Sequence, residues 1–195
     1  MTKGLRLAET LAAYLCHEMA GPLSTLAAVL DLGGEDGEAL ALANAAMQRV
    51  RFLRAAWAGG AGKLDAAGFA KLAAGLPGGD RCRVDAARIE GVLPDSVARI
   101  ALCLLPVAVA ALPRGGTIRV AGRVTLEVDG PQASWPAALR QCLTSADTAW
   151  SLTEDPRTLP APLATLLAGG DFVAITVESD SRITLRAMDD AGTRP

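Results

Sequence analysis

The sequence lacks a surplus of charge: 19 Lys and Arg stand against 21 Asp and Glu, a formal net charge of -2. Without a basic excess there is no electrostatic footprint for nucleic acid or an anionic membrane surface, and neither partner is expected. Cysteine is scarce too. Cys16, Cys82, Cys103 and Cys142 lie far apart and form no C-x-x-C pair, which argues against a disulfide framework and a zinc site. Each reads as a small buried hydrophobe, and a reduced cytoplasmic setting fits best. Long apolar runs are missing. The longest, Ile100 to Leu112, falls short of the ~20 residues a spanning helix needs, and Pro106 interrupts it, so it reads as a buried, kinked helix. Glu9, His17 and Glu18 interrupt what would have to be the apolar core of an export signal. No fixed-period repeat and no low-complexity stretch is present.

What the sequence does have is apolar character, 51% of its 195 residues, enough for one sizeable core or two small ones. The first sixty residues are poor in β-branched side chains. Their apolar positions recur at helical spacing from about Leu5 to Leu32 and again from about Glu38 to Trp57. Gly33-Gly34 ends the first helix, and Glu35-Asp36-Gly37 starts the second by favouring its positive end. This helical hairpin cannot cover both of its apolar stripes, so it must dock against another layer or another copy of itself, and a dimeric four-helix bundle is the simplest answer.

After the glycine-rich break at Ala58 to Gly62 the pattern alternates. Helices are predicted at Asp65 to Leu76, Asp95 to Leu112, Trp135 to Leu143 and Ala161 to Leu167. Strands are predicted at Thr117 to Ala121, Val124 to Val128, Phe172 to Glu178 and Arg182 to Met188, the last two joined by a Ser179-Asp180-Ser181 turn. The fold class is α+β, with a hairpin over 1–60 and an α/β domain, helices on one side of a sheet, over 61–195. The tail from Ala191 to Pro195 reads as frayed.

Histidine occurs once, as His17. On a wheel of about 100° per residue with His17 at the origin, Leu11, Ala12, Leu15, Met19, Pro22, Leu23, Leu26, Val29 and Leu30 gather around the opposite pole. The imidazole therefore points away from the core. Thr10, Ala13, Gly21, Ser24, Ala28 and Asp31 share its stripe, with Tyr14 flanking, so small or polar neighbours leave room for another protein's backbone. Pro22 withdraws an interior helical hydrogen bond and needs a reason to be there. The antiparallel second helix brings Phe52 to Ala56 level with His17. Arg51 and Arg54 are then candidates for contacts with phosphoryl oxygens or an acidic pocket, or else an ordinary solvated face. Tyr14 and Phe52 are candidates for apolar docking area, Phe52 equally for core.

The run Leu15-Cys16-His17-Glu18-Met19-Ala20-Gly21-Pro22-Leu23 resembles the phosphoacceptor box of histidine kinases: histidine, an acidic residue, three others, proline, leucine. Three features make the chain similar to the ChpT-type histidine phosphotransferases of alphaproteobacterial phosphorelays. They are this box near the N-terminus, the helix end Arg49-Val-Arg-Phe-Leu-Arg-Ala-Ala-Trp-Ala-Gly59, and a following domain of kinase-like size without nucleotide motifs. The resemblance implies a homodimeric bundle carrying a degenerate kinase-like ATPase domain. It also implies that His17 takes a phosphoryl group from the receiver domain of a hybrid histidine kinase and passes it to aspartates of response regulators. Glu18 would orient the imidazole or act as a base, unless it is a helix-surface glutamate with no catalytic role.

No cofactor of the chain itself is expected. The resemblance places the magnesium and a lysine in the partner receiver domains. In true kinases an asparagine-bearing helix holds the metal, but the only asparagine here is Asn44, in the hairpin. Gly78-Gly79, Gly115-Gly116 and Gly169-Gly170 match no phosphate-cradling motif and read as turns. Asp129-Gly130-Pro131 fails the Asp-x-Gly-x-Gly form. Two other functions compete: an autophosphorylating kinase with a diverged nucleotide site, and a non-catalytic dimeric interaction module.

Overall fold

The computed structural model describes residues 3–33, 36–122, 124–145, 149–150, 158–170 and 173–187. Gly34, Glu35, Phe172, Met188 and the tail from Ala191 lie outside the described residues. The chain is α+β. Helix α1 spans Lys3–Asp31 and α2 spans Asp36–Leu53, and the two pack along each other as the predicted hairpin. Gly33, at φ +69°, turns the chain after α1 in a conformation costly for a residue with a Cβ.

The second helix does not simply stop. Its last residues widen into a π-turn, Arg54–Ala58, closed by Gly59 at φ 79°. Ala55, Ala56 and Trp57 in that turn are buried. Helix α3, Ala66–Ala73, follows, its first turn capped by the Asp65 carboxylate, which accepts the Gly68 N–H at 2.7 Å.

Five strands form one sheet: β1 Cys82–Ile89, β2 Gly116–Gly122, β3 Thr125–Asp129, β4 Val173–Val177 and β5 Arg182–Ala187, in the order β1-β2-β3-β5-β4. Strand β1 runs parallel to β2, and the other neighbours are antiparallel. Helix α4, Asp95–Ala110, connects β1 to β2 and continues unbroken through Pro106. Helices α5, Ala137–Cys142, and α6, Pro160–Gly170, complete the layer, α6 lying against α4 and α5.

Period-two alternation explains the two faces of the sheet. Ile118, Val120, Leu126, Val128, Ile183 and Leu185 are buried, while Arg119, Glu127 and Arg182 between them are not. That outer face carries cross-strand ion pairs: Arg119 Nη2 lies 2.8 Å from Asp129 Oδ2, and Arg182 Nε donates to Glu127 Oε1 at 2.7 Å.

Strand β1 is absent from the sequence-based expectation, because Asp85-Ala86-Ala87-Arg88 has poor strand propensity and its alternation is broken by an irregularity in pairing between Asp85 and Arg88. Of the glycine pairs, Gly115 closes a turn by donating to the Leu112 carbonyl at 2.9 Å with φ +77°, and Gly116 already opens β2. Gly169-Gly170 corrects the expectation, since both lie in the last turn of α6. No helix among the described residues is long and apolar enough to cross a membrane.

Candidate functional site

His17 sits in the middle of α1 and is exposed, as its stripe predicts. Ala13, Gly21, Ser24, Ala28 and Asp31 are exposed with it, and Thr10 is half-buried, its hydroxyl bonded back to the Arg6 carbonyl at 3.0 Å. A Cβ built on Gly21 would meet nothing within 4 Å. The ground around the imidazole is therefore low and open, one helical turn to either side along the stripe.

Tyr14 departs from the expectation. It is 8% exposed and packs on Trp57, with ring centroids 4.8 Å apart and planes at 59°. It belongs to the hairpin interior, not to a docking surface. Burial pushes its phenol well above the ordinary tyrosine range, the Glu18 charge adds to that, and the Arg49 charge partly opposes it. Phe52 is fully buried, which resolves its two readings in favour of core. Arg51 in the last turn of α2 and Arg54 at the start of the π-turn are both exposed.

Glu18 is not a free surface carboxylate. Its side chain is 17% exposed and lies 3.8 Å from Arg49 Nη1. The same nitrogen donates to the Glu18 backbone carbonyl at 3.4 Å. Arg49 is the residue that sequence reasoning missed, although Pro22 held the signal: it removes the N–H that a helix would aim at the carbonyl four residues earlier, at Glu18.

The apolar pole of α1 is covered only in part. Leu11, Leu15, Met19, Pro22, Leu26 and Val29 are half-buried, but Ala12 is exposed, and Leu23 and Leu30 remain 51% and 60% exposed. A single neighbouring helix shields one line of contact and no more.

A family described as "Histidine phosphotransferase C-terminal domain" matches residues 67–183. The chain belongs to the histidine phosphotransferases. Among solved structures, the chain is similar to one described as a bacterial phosphotransferase at 1.7 Å, with a TM-score of 0.63, 20% identity, and coverage of 95% of this chain and 97% of that one. At that identity the likeness establishes a shared fold across hairpin and sheet. Comparison with curated proteins finds no match.

The matched segment of this histidine phosphotransferase begins after His17, so what ties the two parts together matters. The π-turn is gripped by α4: Arg99 donates to the Ala56 carbonyl at 3.4 Å and to the Trp57 carbonyl at 3.0 Å, and the buried Cys103 thiol donates to the Ala56 carbonyl at 2.8 Å. Those two carbonyls lie in the wide turn, where regular helical pairing is lost. Earlier in α2, a Cβ on Gly75 would fall 2.1 Å from the Gln48 carbonyl oxygen and 3.0 Å from the Arg49 nitrogen. The second residue after α3 thus lies directly against the backbone of α2.

Of the other thiols, Cys16 is exposed on α1, against the expectation of a buried hydrophobe, while Cys82 is half-buried and Cys142 buried. Burial pushes Cys142 up to about 11 and raises Cys82, for which the Arg81 charge and a hydrogen bond at Gly116 partly compensate. Neither is a ready nucleophile near neutral pH. Among the described residues, no three His, Cys, Asp or Glu side chains gather as a metal site.

Proposed function

We propose that this histidine phosphotransferase carries a phosphoryl group on His17, taking it from the aspartyl phosphate of one receiver domain and giving it to the aspartate of another. The observation that supports this most directly is the exposed imidazole standing among small or polar residues on a helix whose other side faces the hairpin. One nitrogen of a neutral imidazole attacks phosphorus as the P–O bond to the donor aspartate breaks, and the proton on the other nitrogen is released. The reverse step discharges the group: the second ring nitrogen takes up a proton, an acceptor carboxylate attacks phosphorus, and the P–N bond breaks to leave a neutral imidazole.

In-line placement and neutralisation of the moving oxygens carry most of the acceleration. The magnesium for that purpose comes with the receiver in this reading, and ATP is not consumed by this chain. The exposed guanidinium groups of Arg51 and Arg54, near the end of α2, meet the acidic pocket of the receiver. Thr10, Ala13, Gly21 and Ser24 line the docking stripe. A second copy covers the apolar faces left open on α1 and α2, giving a four-helix bundle with two sites. The sheet domain is a degenerate relative of a kinase ATPase domain.

The test is phosphoryl acceptance from a labelled receiver domain. His17→Ala is expected to lose all label while keeping the circular dichroism of the wild type, since a solvent-facing helix position tolerates alanine. Label retained by that variant would reject the reading, because the chain has no second histidine.

A further inference from the structure

A helix bonds the N–H of each residue to the carbonyl four positions earlier. Residue 22 is proline, so the Glu18 carbonyl, one residue from the imidazole, has no helical donor, and the proline ring crowds it outward. Such a carbonyl needs another partner. Arg49 Nη1 supplies one from α2 at 3.4 Å, and the same atom sits 3.8 Å from the Glu18 carboxylate. Both side chains are withdrawn from water, 21% and 17% exposed, so the contact is only partly screened. On the other side of His17, Tyr14 packs at a tilt against Trp57, whose carbonyl is held by Arg99.

We infer that Arg49 is a positioning residue for phosphoryl transfer: it fills the hydrogen bond that Pro22 vacates, and thereby fixes the turn of α1 that presents His17 and binds the Glu18 carboxylate to α2. This rests on the relay reading above. It gives the proline a structural purpose, since it frees an acceptor for a cross-hairpin donor. It also assigns the Glu18 carboxylate to an ion pair and leaves the imidazole without a dedicated base from this residue.

The pairing predicts non-additivity, which a merely structural arginine or a direct phosphate contact would not show. Arg49→Met is expected to slow single-turnover acceptance at saturating receiver by on the order of ten- to a hundredfold, with receiver affinity little changed. Arg49→Lys should recover part of the rate, because one nitrogen makes both contacts. In the Pro22→Ala background the helical N–H is restored to the Glu18 carbonyl, and Arg49→Met should then cost only a few-fold.

Equal slowing in both backgrounds, or no slowing by Arg49→Met, overturns the inference. Urea midpoints of the same four proteins separate this from failure of the relay reading. If the wild type accepts no phosphoryl group, the relay falls, and the coupling of Pro22 to Arg49 is still decided by whether the midpoint shifts add.

Discussion

Tyr14 and His17 stand one turn apart on α1, yet one ring is packed against Trp57 and the other faces solvent. The helical wheel places Tyr14 beside the exposed stripe, and from one helix alone that position is ambiguous. The neighbour decides, because the π-turn brings Trp57 onto it. This is the chain's single tyrosine, so its ionisation can be followed by ultraviolet absorption. A phenol raised on folding holds its proton more tightly in the native state than in the unfolded one. The stability it contributes is therefore complete below the ordinary value of 10.0 and is lost as pH rises beyond it. Spectrophotometric titration is expected to show no tyrosinate in the ordinary range until the fold opens, and Tyr14→Phe should make unfolding less sensitive to alkali. A normal titration midpoint in the folded protein would contradict the burial described here.

Gly75 shows what an element can hide. Its sequence context, Ala74-Gly75-Leu76-Pro77, predicts only the end of a helix. The structure gives it a second task, since α3 and α2 meet there backbone to backbone. Gly75→Ala must part the two elements, and a loss of about 1–3 kcal/mol is expected from overpacking, measured as a lower urea midpoint at unchanged slope. Because the contact falls on Gln48 and Arg49, phosphoryl acceptance should slow as well. The end of α2 follows the same logic: a π-turn leaves carbonyls that Arg99 and Cys103 of α4 take up. Helix positions were legible from apolar period and caps, whereas these contacts pair residues far apart in sequence.

At the scale of the whole molecule, the hairpin leaves a large apolar surface uncovered. Leu5, Leu23, Leu30, Leu40, Met47 and Val50 are between 41% and 63% exposed, and Leu32 is 87% exposed. Burying a leucine side chain stabilises by roughly 1.5–3 kcal/mol, so the exposed apolar residues of these two helices are the surface that the proposed second copy would cover. The proposed dimer predicts that Leu23→Glu combined with Leu30→Glu converts the protein to a monomer in sedimentation equilibrium, with its helical content retained. A wild type that itself sediments as a monomer would remove the second copy from the account, and a variant that stays dimeric would remove Leu23 and Leu30 from the interface. The sheet's outer face is of the opposite kind. Its ion pairs between Arg119, Asp129, Glu127 and Arg182 are exposed and worth little individually, but they make that face polar.

The sequence by itself determined the α+β class, the hairpin, four of the five strands, and the outward direction of His17, because apolar period, helix stops and turn residues are local properties of the chain. It could not place β1, whose weak strand propensity is overcome only by pairing with β2. It could not bury Tyr14, or match Arg49 to the carbonyl that Pro22 leaves open. Those outcomes were decided by the tertiary structure, since a hydrogen-bond acceptor or an aromatic face is satisfied by whichever residue the fold carries to it.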